Sequence, residues 1–187
     1  MTILGRSDAT ESRWIKLKRV VYENDDGQVL SWDYIERIGP RSSVLILPRF
    51  KESGDLIFIR QYRVVMDRYV IGFPAGVISE REDVAGCALR ELEEETGYTG
   101  KIVKISPQLA LNSALIMETA YCVVVELDED CGPKAQKLEP SEKIEVHRVA
   151  RNEMGPFFLR AVEREDIIGA GPWYMLLAGE EVAKGVP

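Results

Sequence analysis

The segment from Gly76 to Tyr98 constrains this chain more than any other, because it sets several charged side chains of one short helix beside an apolar stripe. Ala85, Ala88, Leu89 and Leu92 recur at i, i+3, i+4 and i+7, the spacing of a helix with one buried face. Gly97 stands where such a helix would end in a left-handed residue. Glu91 and Glu95, four apart, stack on one flank next to the stripe, and Glu94 lies within a turn of both. Like charges so placed repel at roughly 0.2–0.5 kcal/mol per pair. A divalent cation would reverse that cost. Carboxylate oxygens are hard ligands that suit Mg2+ or Mn2+, and the chain offers no Cys/His set for zinc. Arg90 is placed to pair with Glu94 at i+4 and orient it. Glu93, Glu94 and Glu95 alone would read as a solvated helix face. Their fixed distances from Gly76, Glu82, Arg90 and Gly97 favour a site.

The rest of the chain is that of an ordinary globular protein, since 187 residues with 45% hydrophobic content suffice for one core. A net charge of −7 excludes generic binding to nucleic acid polymers, which needs a basic footprint. It leaves room for a nucleotide, because a metal and a few arginines supply local positive charge. Cys87, Cys122 and Cys131 have no metal-ligand spacing; an odd count and a polar opening stretch lead us to expect reduced thiols in a cytoplasmic protein. No run of 18 apolar residues exists to span a membrane. The one histidine, His147, lacks a nucleophile motif and reads as structural.

Along the chain, Trp14–Tyr22 and Val29–Ile38 are β-rich and flank Asn24-Asp25-Asp26-Gly27, a hairpin signal. Ser43–Phe50 and Leu56–Tyr62 repeat the pattern. A short extended piece, Tyr69–Phe73, leads through Pro74-Ala75-Gly76 to the helix. Further strands are expected over Ile102–Leu111, Ala120–Leu127 and Lys143–Val149, with a mobile loop over Glu129–Pro140. Pro156 should sit in the first turn of a helix to about Arg164, and a last helix should run from near Pro172 to before Gly185. Mixed strands with helices after the third and last strand groups predict an α+β fold.

The constrained stretch has the form G-x5-E-x7-R-E-U-x-E-E-x-G-U, with U bulky and apolar, fixed at Gly76, Glu82, Arg90, Glu91, Glu94, Glu95 and Gly97. With each residue type at about 7%, chance gives all seven about once in 10^8 starts. The pattern is the Nudix box, so the chain resembles a Nudix hydrolase. Arg60-Gln61-Tyr62-Arg63 and Gly72-Phe73-Pro74-Ala75-Gly76 resemble the ADP-ribose pyrophosphatase (ADP-sugar diphosphatase) branch. So do Arg13–Leu17, Trp32–Arg37 and Glu142–Val146. The resemblance implies a Nudix-type α/β/α sandwich with a mixed sheet and an added N-terminal β-hairpin. It divides the chain into an extension over 1–40, in dimer contact, and a hydrolase domain over 41–187.

The same resemblance implies site roles. Glu91, Glu94 and Glu95, with the Ala75 carbonyl, would hold Mg2+ (or Mn2+), and Glu82 would orient Arg90 or the loop. Glu142 would orient or deprotonate the attacking water, with Glu139 and Glu145 as alternatives for that role. Arg63 and Arg37 would grip the phosphates, Trp14 and Trp32 would clamp the base, and Glu118 fits a further acidic position. For the tryptophans core packing is the alternative, and for the arginines a solvated strand face. Two departures bear on substrate: Gly72 stands where the branch commonly has an acidic residue, and Ser113-Ala114 where it has Pro-Gly. The implied reaction is ADP-ribose to AMP and ribose 5-phosphate. NADH, diadenosine polyphosphates and GDP-mannose stay open as substrates, a non-catalytic nucleotide sensor is the contrasting reading, and a homodimer is the implied assembly.

Overall fold

In the computed structural model, which describes residues 2–7 and 11–183, two strands stand apart from the rest. These are β1 (Ile15–Glu23) and β2 (Val29–Arg37), a separate antiparallel hairpin in full register from Ile15–Arg37 to Glu23–Val29. Its turn is closed by the Asn24 side chain and by Gly27 at φ 76°, a left-handed conformation that glycine adopts without strain.

The main sheet takes β3 (Ser42–Phe50), β4 (Leu56–Arg63), β5 (Arg68–Gly72) and β6 (Ala75–Val77). Helix α1 (Val84–Thr96) follows, then β7 (Lys101–Ile105), β8 (Leu109–Ala110), β9 (Thr119–Leu127) and β10 (Ile144–Val149). After a 3-10 turn over Arg151–Glu153 the chain closes with α2 (Met154–Glu163), β11 (Ile167–Ile168) and α3 (Ala170–Ala183). The backbone order is β11-β5-β4-β3-β9-β7, with β10 on β4, β6 on β3 and β8 on β9. β3 and β9 run parallel, as do β5 and β11; the other pairs are antiparallel. The sheet is therefore mixed, as expected.

Strand alternation gives this sheet two buried faces. On one, Val44, Ile46, Ile57, Val123 and Val125 pack under Cys87, Ala88 and Leu92 of α1. On the other, Leu56, Phe58 and Ile71 pack under Met154, Phe157 and Phe158 of α2, with Met175 and Leu176 of α3 against them. The α/β/α layering follows from those two cores. Cys87 is buried, Cys122 and Cys131 are partly buried, and all three are free thiols. Among the described residues no helix is long and apolar enough to cross a membrane.

Several expectations shift. The strand expected over Ile102–Leu111 is broken after Ile105, where Pro107 has no N–H to donate and Ser106 takes the Cys122 N–H on its hydroxyl instead. Pro172 falls in the first turn of α3, which begins two residues earlier; its expected end before Gly185 lies outside the described residues. Short β6 and β11 were too brief to show a period of two. The Glu129–Pro140 stretch has no regular structure, yet Lys134 N–H bonds Gly97, Lys137 N–H bonds Glu94, and the Gln136 amide bonds the Glu95 carbonyl.

On the α2 side, Arg60 forks onto buried Asp166 at 2.8 Å through both Nε and Nη2, and Arg164 adds a third contact. Burial pushes the Asp166 carboxyl up, but the two guanidiniums outweigh it and hold it below the usual carboxylate range. Asp166→Asn should cost about 3 kcal/mol in urea unfolding, since it leaves Arg60 partly buried and underpaired. The contribution is complete above the ordinary carboxylate range and fades as pH falls through the lowered value, so wild type and variant should converge in acid.

Candidate active site

Helix α1 begins on Asp83, whose side chain accepts the Gly86 N–H at 2.7 Å, and ends on Gly97 at φ 75°. Its buried stripe is rotated from the one read in the sequence. Leu89 is 38% exposed, and Cys87 takes its place with Ala88, Leu92, Glu95 and Thr96. The small residues Cys87 and Ala88 let α1 approach the sheet, and the rotation carries Glu91 and Glu95 inward.

The close approach is greatest at β6. A Cβ on Gly76 would stand 1.9 Å from the Glu91 Cδ, so any larger residue there displaces the Glu91 carboxylate. Next to it, Ala75 N–H donates to Glu95 Oε2 at 3.0 Å. Ala75 faces Leu45 as a wide, unbonded pair, while Ile46 N–H goes to Pro74 O. Both its N–H and its C=O thus point away from β3, toward the helix.

Arg90 gathers the acids. It forks onto Glu82 at 2.8 and 2.9 Å and reaches Glu91 at 2.9 Å and Glu94 at 2.8 Å. Glu82 is thus the residue that orients Arg90, as the sequence suggested. Glu95 is only 3% exposed, and burial lifts its carboxyl to about 8 against the pull of the Ala75 N–H and the Arg63 charge; Glu91 and Glu142 push it the same way as burial. Burial also raises Glu91, opposed by Arg90 and reinforced by Glu94 and Glu142.

A cleft of about 410 Å³ opens between β6, α1 and the loop before β10. It brings together Ala75, Arg90, Glu91, Glu94, Glu95 and Glu142, all six expected there. Glu142 and Glu139 bond reciprocally, Glu142 N–H to Glu139 O and Glu139 N–H to Glu142 Oε2, both at 2.9 Å. Glu145 lies elsewhere: it pairs with Arg60 on the α2 side, because Ile144 and Val146 take the α1 face. His147 is on that far side too, against Phe157, and burial lowers its pKa.

The residues expected to bind substrate do not line this cleft. Arg37 and Glu118 meet each other at 3.2 Å where the hairpin rests on the 112–118 loop. Trp14 and Trp32 are 63% and 53% exposed, which rules out core packing, and the Trp32 Nε1–H donates to Ala114 O at 2.8 Å. Trp14 bonds opposite Ile38 and Trp32 stands opposite Val20. Six strand positions, about 20 Å of backbone, separate the two residues on one hairpin. Arg63, exposed at the end of β4, acts on Glu95 through its charge.

One charged residue of the cleft escaped the sequence reading: Lys137 lines it and pairs with Glu93 at 3.1 Å. Glu139, the alternative to Glu142, lines it as well. Nothing in an irregular loop signals which side chains fold back on a helix. The donor set of carboxylates and a carbonyl fits a hard divalent cation. Among the described residues no three acids are closed into a preformed cage, since Arg90, Ala75 and Glu139 each occupy carboxylate oxygens.

The NUDIX domain family matches residues 39–168. The chain belongs to the Nudix family. It is 30% identical over 171 residues to the ADP-sugar pyrophosphatase of Mus musculus, covering 86% of this chain and 75% of that protein. It is 33% identical over 155 residues to the ADP-ribose pyrophosphatase of Saccharomyces cerevisiae, covering 76% of this chain and 66% of that protein. A crystal structure of an ADP compounds hydrolase shares the fold at a TM-score of 0.69 and 25% identity, over 98% of this chain and 94% of that one. This chain is a Nudix pyrophosphatase with every charged residue of the box in place. In this Nudix site Gly76→Ala should push Glu91 out of position and lower turnover about 100-fold with little change in the melting temperature, measured by steady-state kinetics beside thermal unfolding.

Proposed function

We propose that this enzyme hydrolyses the pyrophosphate bond of ADP-ribose, giving AMP and ribose 5-phosphate, with Mg2+ as its metal and Mn2+ as a substitute. The observation that carries the reading is the convergence of Glu91, Glu94, Glu95 and the Ala75 backbone on the cleft that Glu142 faces. Held by Glu91, Glu94, Glu95 and the Ala75 carbonyl, Mg2+ would neutralise phosphate oxygens and acidify the attacking water. The chain's own residues do the rest. Arg90 fixes Glu91 and Glu94 in place. Glu142 takes the proton of the water as its oxygen bonds to phosphorus and the bridging P–O bond breaks, releasing the two monophosphates. Arg63 approaches the phosphates from the end of β4 as a bidentate donor. Arg37 grips from the hairpin, positioned by Glu118.

The base is clamped by two tryptophans from different chains. Stacked rings sit within about 7 Å of one another, and Trp14 and Trp32 of one hairpin are too far apart to share a base. All of β1 is exposed, with Leu17, Val21 and Val29 bare on the hairpin, so residues 1–40 act as an extension that a second copy covers, beside the hydrolase domain over 41–187. Trp32→Ala should raise KM about 5- to 150-fold, by the roughly 1–3 kcal/mol of one stacked base, and leave kcat nearly unchanged.

A second substrate reading has an observation of its own. A Cβ at Gly72 would meet nothing within 4 Å, leaving open space where the branch commonly carries an acid. Such space accepts a larger group in NADH, a diadenosine polyphosphate or GDP-mannose. Phosphate-ester release with Mg2+ across these compounds and ADP-ribose separates the readings by kcat/KM. Glu142→Gln should lower kcat about 10^2- to 10^4-fold on the preferred compound, and chelation of metal should abolish turnover. Tight nucleotide binding with no turnover of any compound would instead make the chain a sensor.

A further inference from the structure

On the far side of the sheet from the catalytic cleft a second cavity, of about 330 Å³, opens between the β3–β4 turn, the 3-10 turn after β10 and α3. It is large enough for a small organic molecule. Its floor is apolar, made of Leu47, Leu56, Val124 and Met175, the last packed against the core under α2. Its rim is cationic: Arg49, Lys51 and Arg151 against one carboxylate, Glu126. Arg49 takes that carboxylate at 2.7 Å. Among the described residues neither Lys51 nor Arg151 has an ion-pair partner. On the neighbouring strand Lys101 and Lys104 stand directly across from Glu126 and Val124, and residues so paired share a face.

Three cations and one acid line this apolar floor, and Lys101 and Lys104 add two more cations on the same face of the next strand, an unusual grouping on a chain of net charge −7. Nothing in the hydrolytic reaction uses them, because the site's acids and Arg90 lie on the α1 face. We infer that this groove binds a small organic anion, a carboxylate or phosphate carried on an apolar or aromatic body. The body rests on Leu47, Val124 and Met175. Its charged end meets Lys51 and Arg151, which have free donors to offer. The turn at one end and α3 at the other bound the groove, which suits a single small molecule over a polymer strand.

The probe is 8-anilinonaphthalene-1-sulfonate, an aromatic body with one negative charge. Titrated into the full chain, it should show saturable fluorescence at one site per chain, weakened by added salt. Lys51→Glu with Arg151→Glu should weaken that binding about tenfold or more, and the gentler Lys51→Gln with Arg151→Gln by an intermediate factor. Leu17→Ser with Val21→Ser, on the exposed hairpin, should leave the site's affinity unchanged. Pyrophosphatase turnover should persist in both charge variants, which also reports that they fold. The uncharged N-phenyl-1-naphthylamine should bind about tenfold more weakly than the sulfonate. Equal binding by the parent and the charge-reversed chain, loss on the hairpin variant, or no saturable site in the parent would each overturn the inference.

Discussion

The Arg90 guanidinium, bonded at once to Glu82, Glu91 and Glu94, is the interaction on which the rest of the site depends. Four carboxylates crowd this end of α1, and the side chains of Glu82 and Glu91 are mostly out of water. Left without a counter-charge they would repel one another and resist burial. Arg90 answers three of them and the Ala75 N–H answers the fourth. Each bond also ties a different piece of chain. Glu82 fixes the loop before the helix, Glu95 fixes the helix to β6, and Gly76 removes the side chain that would hold them apart. The geometry of the acids is thus set by one salt-bridged cluster within about twenty residues of sequence.

The sheet separates that chemistry from its support. The α1 face carries the reacting groups; the α2 face carries aromatic packing of Phe58, Phe157 and Phe158, with the Arg60–Asp166 pair at its edge. Such a pair contributes through the penalty for breaking it, which fastens β11 and the end of α2 against β4. The hairpin of β1 and β2 belongs to neither face. It touches the 112–118 loop through the Ile35–Ile116 bridge, the Trp32–Ala114 bond and the Arg37–Glu118 pair, and the residue before β3 through the Glu36–Arg41 pair.

How legible this was in the sequence depends on how local each feature is. The box helix, its left-handed Gly97, the Glu82–Arg90 pairing, the hairpin turn and Pro156 in the first turn of α2 were all readable, because each is decided by residues within about eight positions. The rotation of the α1 stripe was not, since Cys87 and Leu89 are both apolar and only the close approach to β6 favours the smaller one. The break at Pro107 depended on Ser106 standing in for a backbone acceptor across the strand pair. Glu145 was misjudged as a residue within reach of the cleft, because the face it takes is fixed by how β10 registers on β4. Lys137 enters the cleft only because loop bonds to Gly97 and Glu94 fold that segment back, and no periodicity encodes such a return.

The same locality explains why substrate preference is harder to read than reaction type. The acids of α1 and Ala75 come from 75–95, so any chain that preserves those spacings preserves that part of the arrangement. The groups that would meet the base and the distal sugar come from β2, the end of β4, Gly72 and the 112–118 loop, pieces far apart in sequence. Their mutual placement rests on hairpin contacts with a handful of bonds, and a position such as Gly72, where an added Cβ meets nothing within 4 Å, can vary without touching Arg90 or its acids. A fold built this way can exchange the group it recognises while keeping the bond it breaks. Gly72 and Ser113, which leave the box untouched, are the positions at which that exchange would be seen.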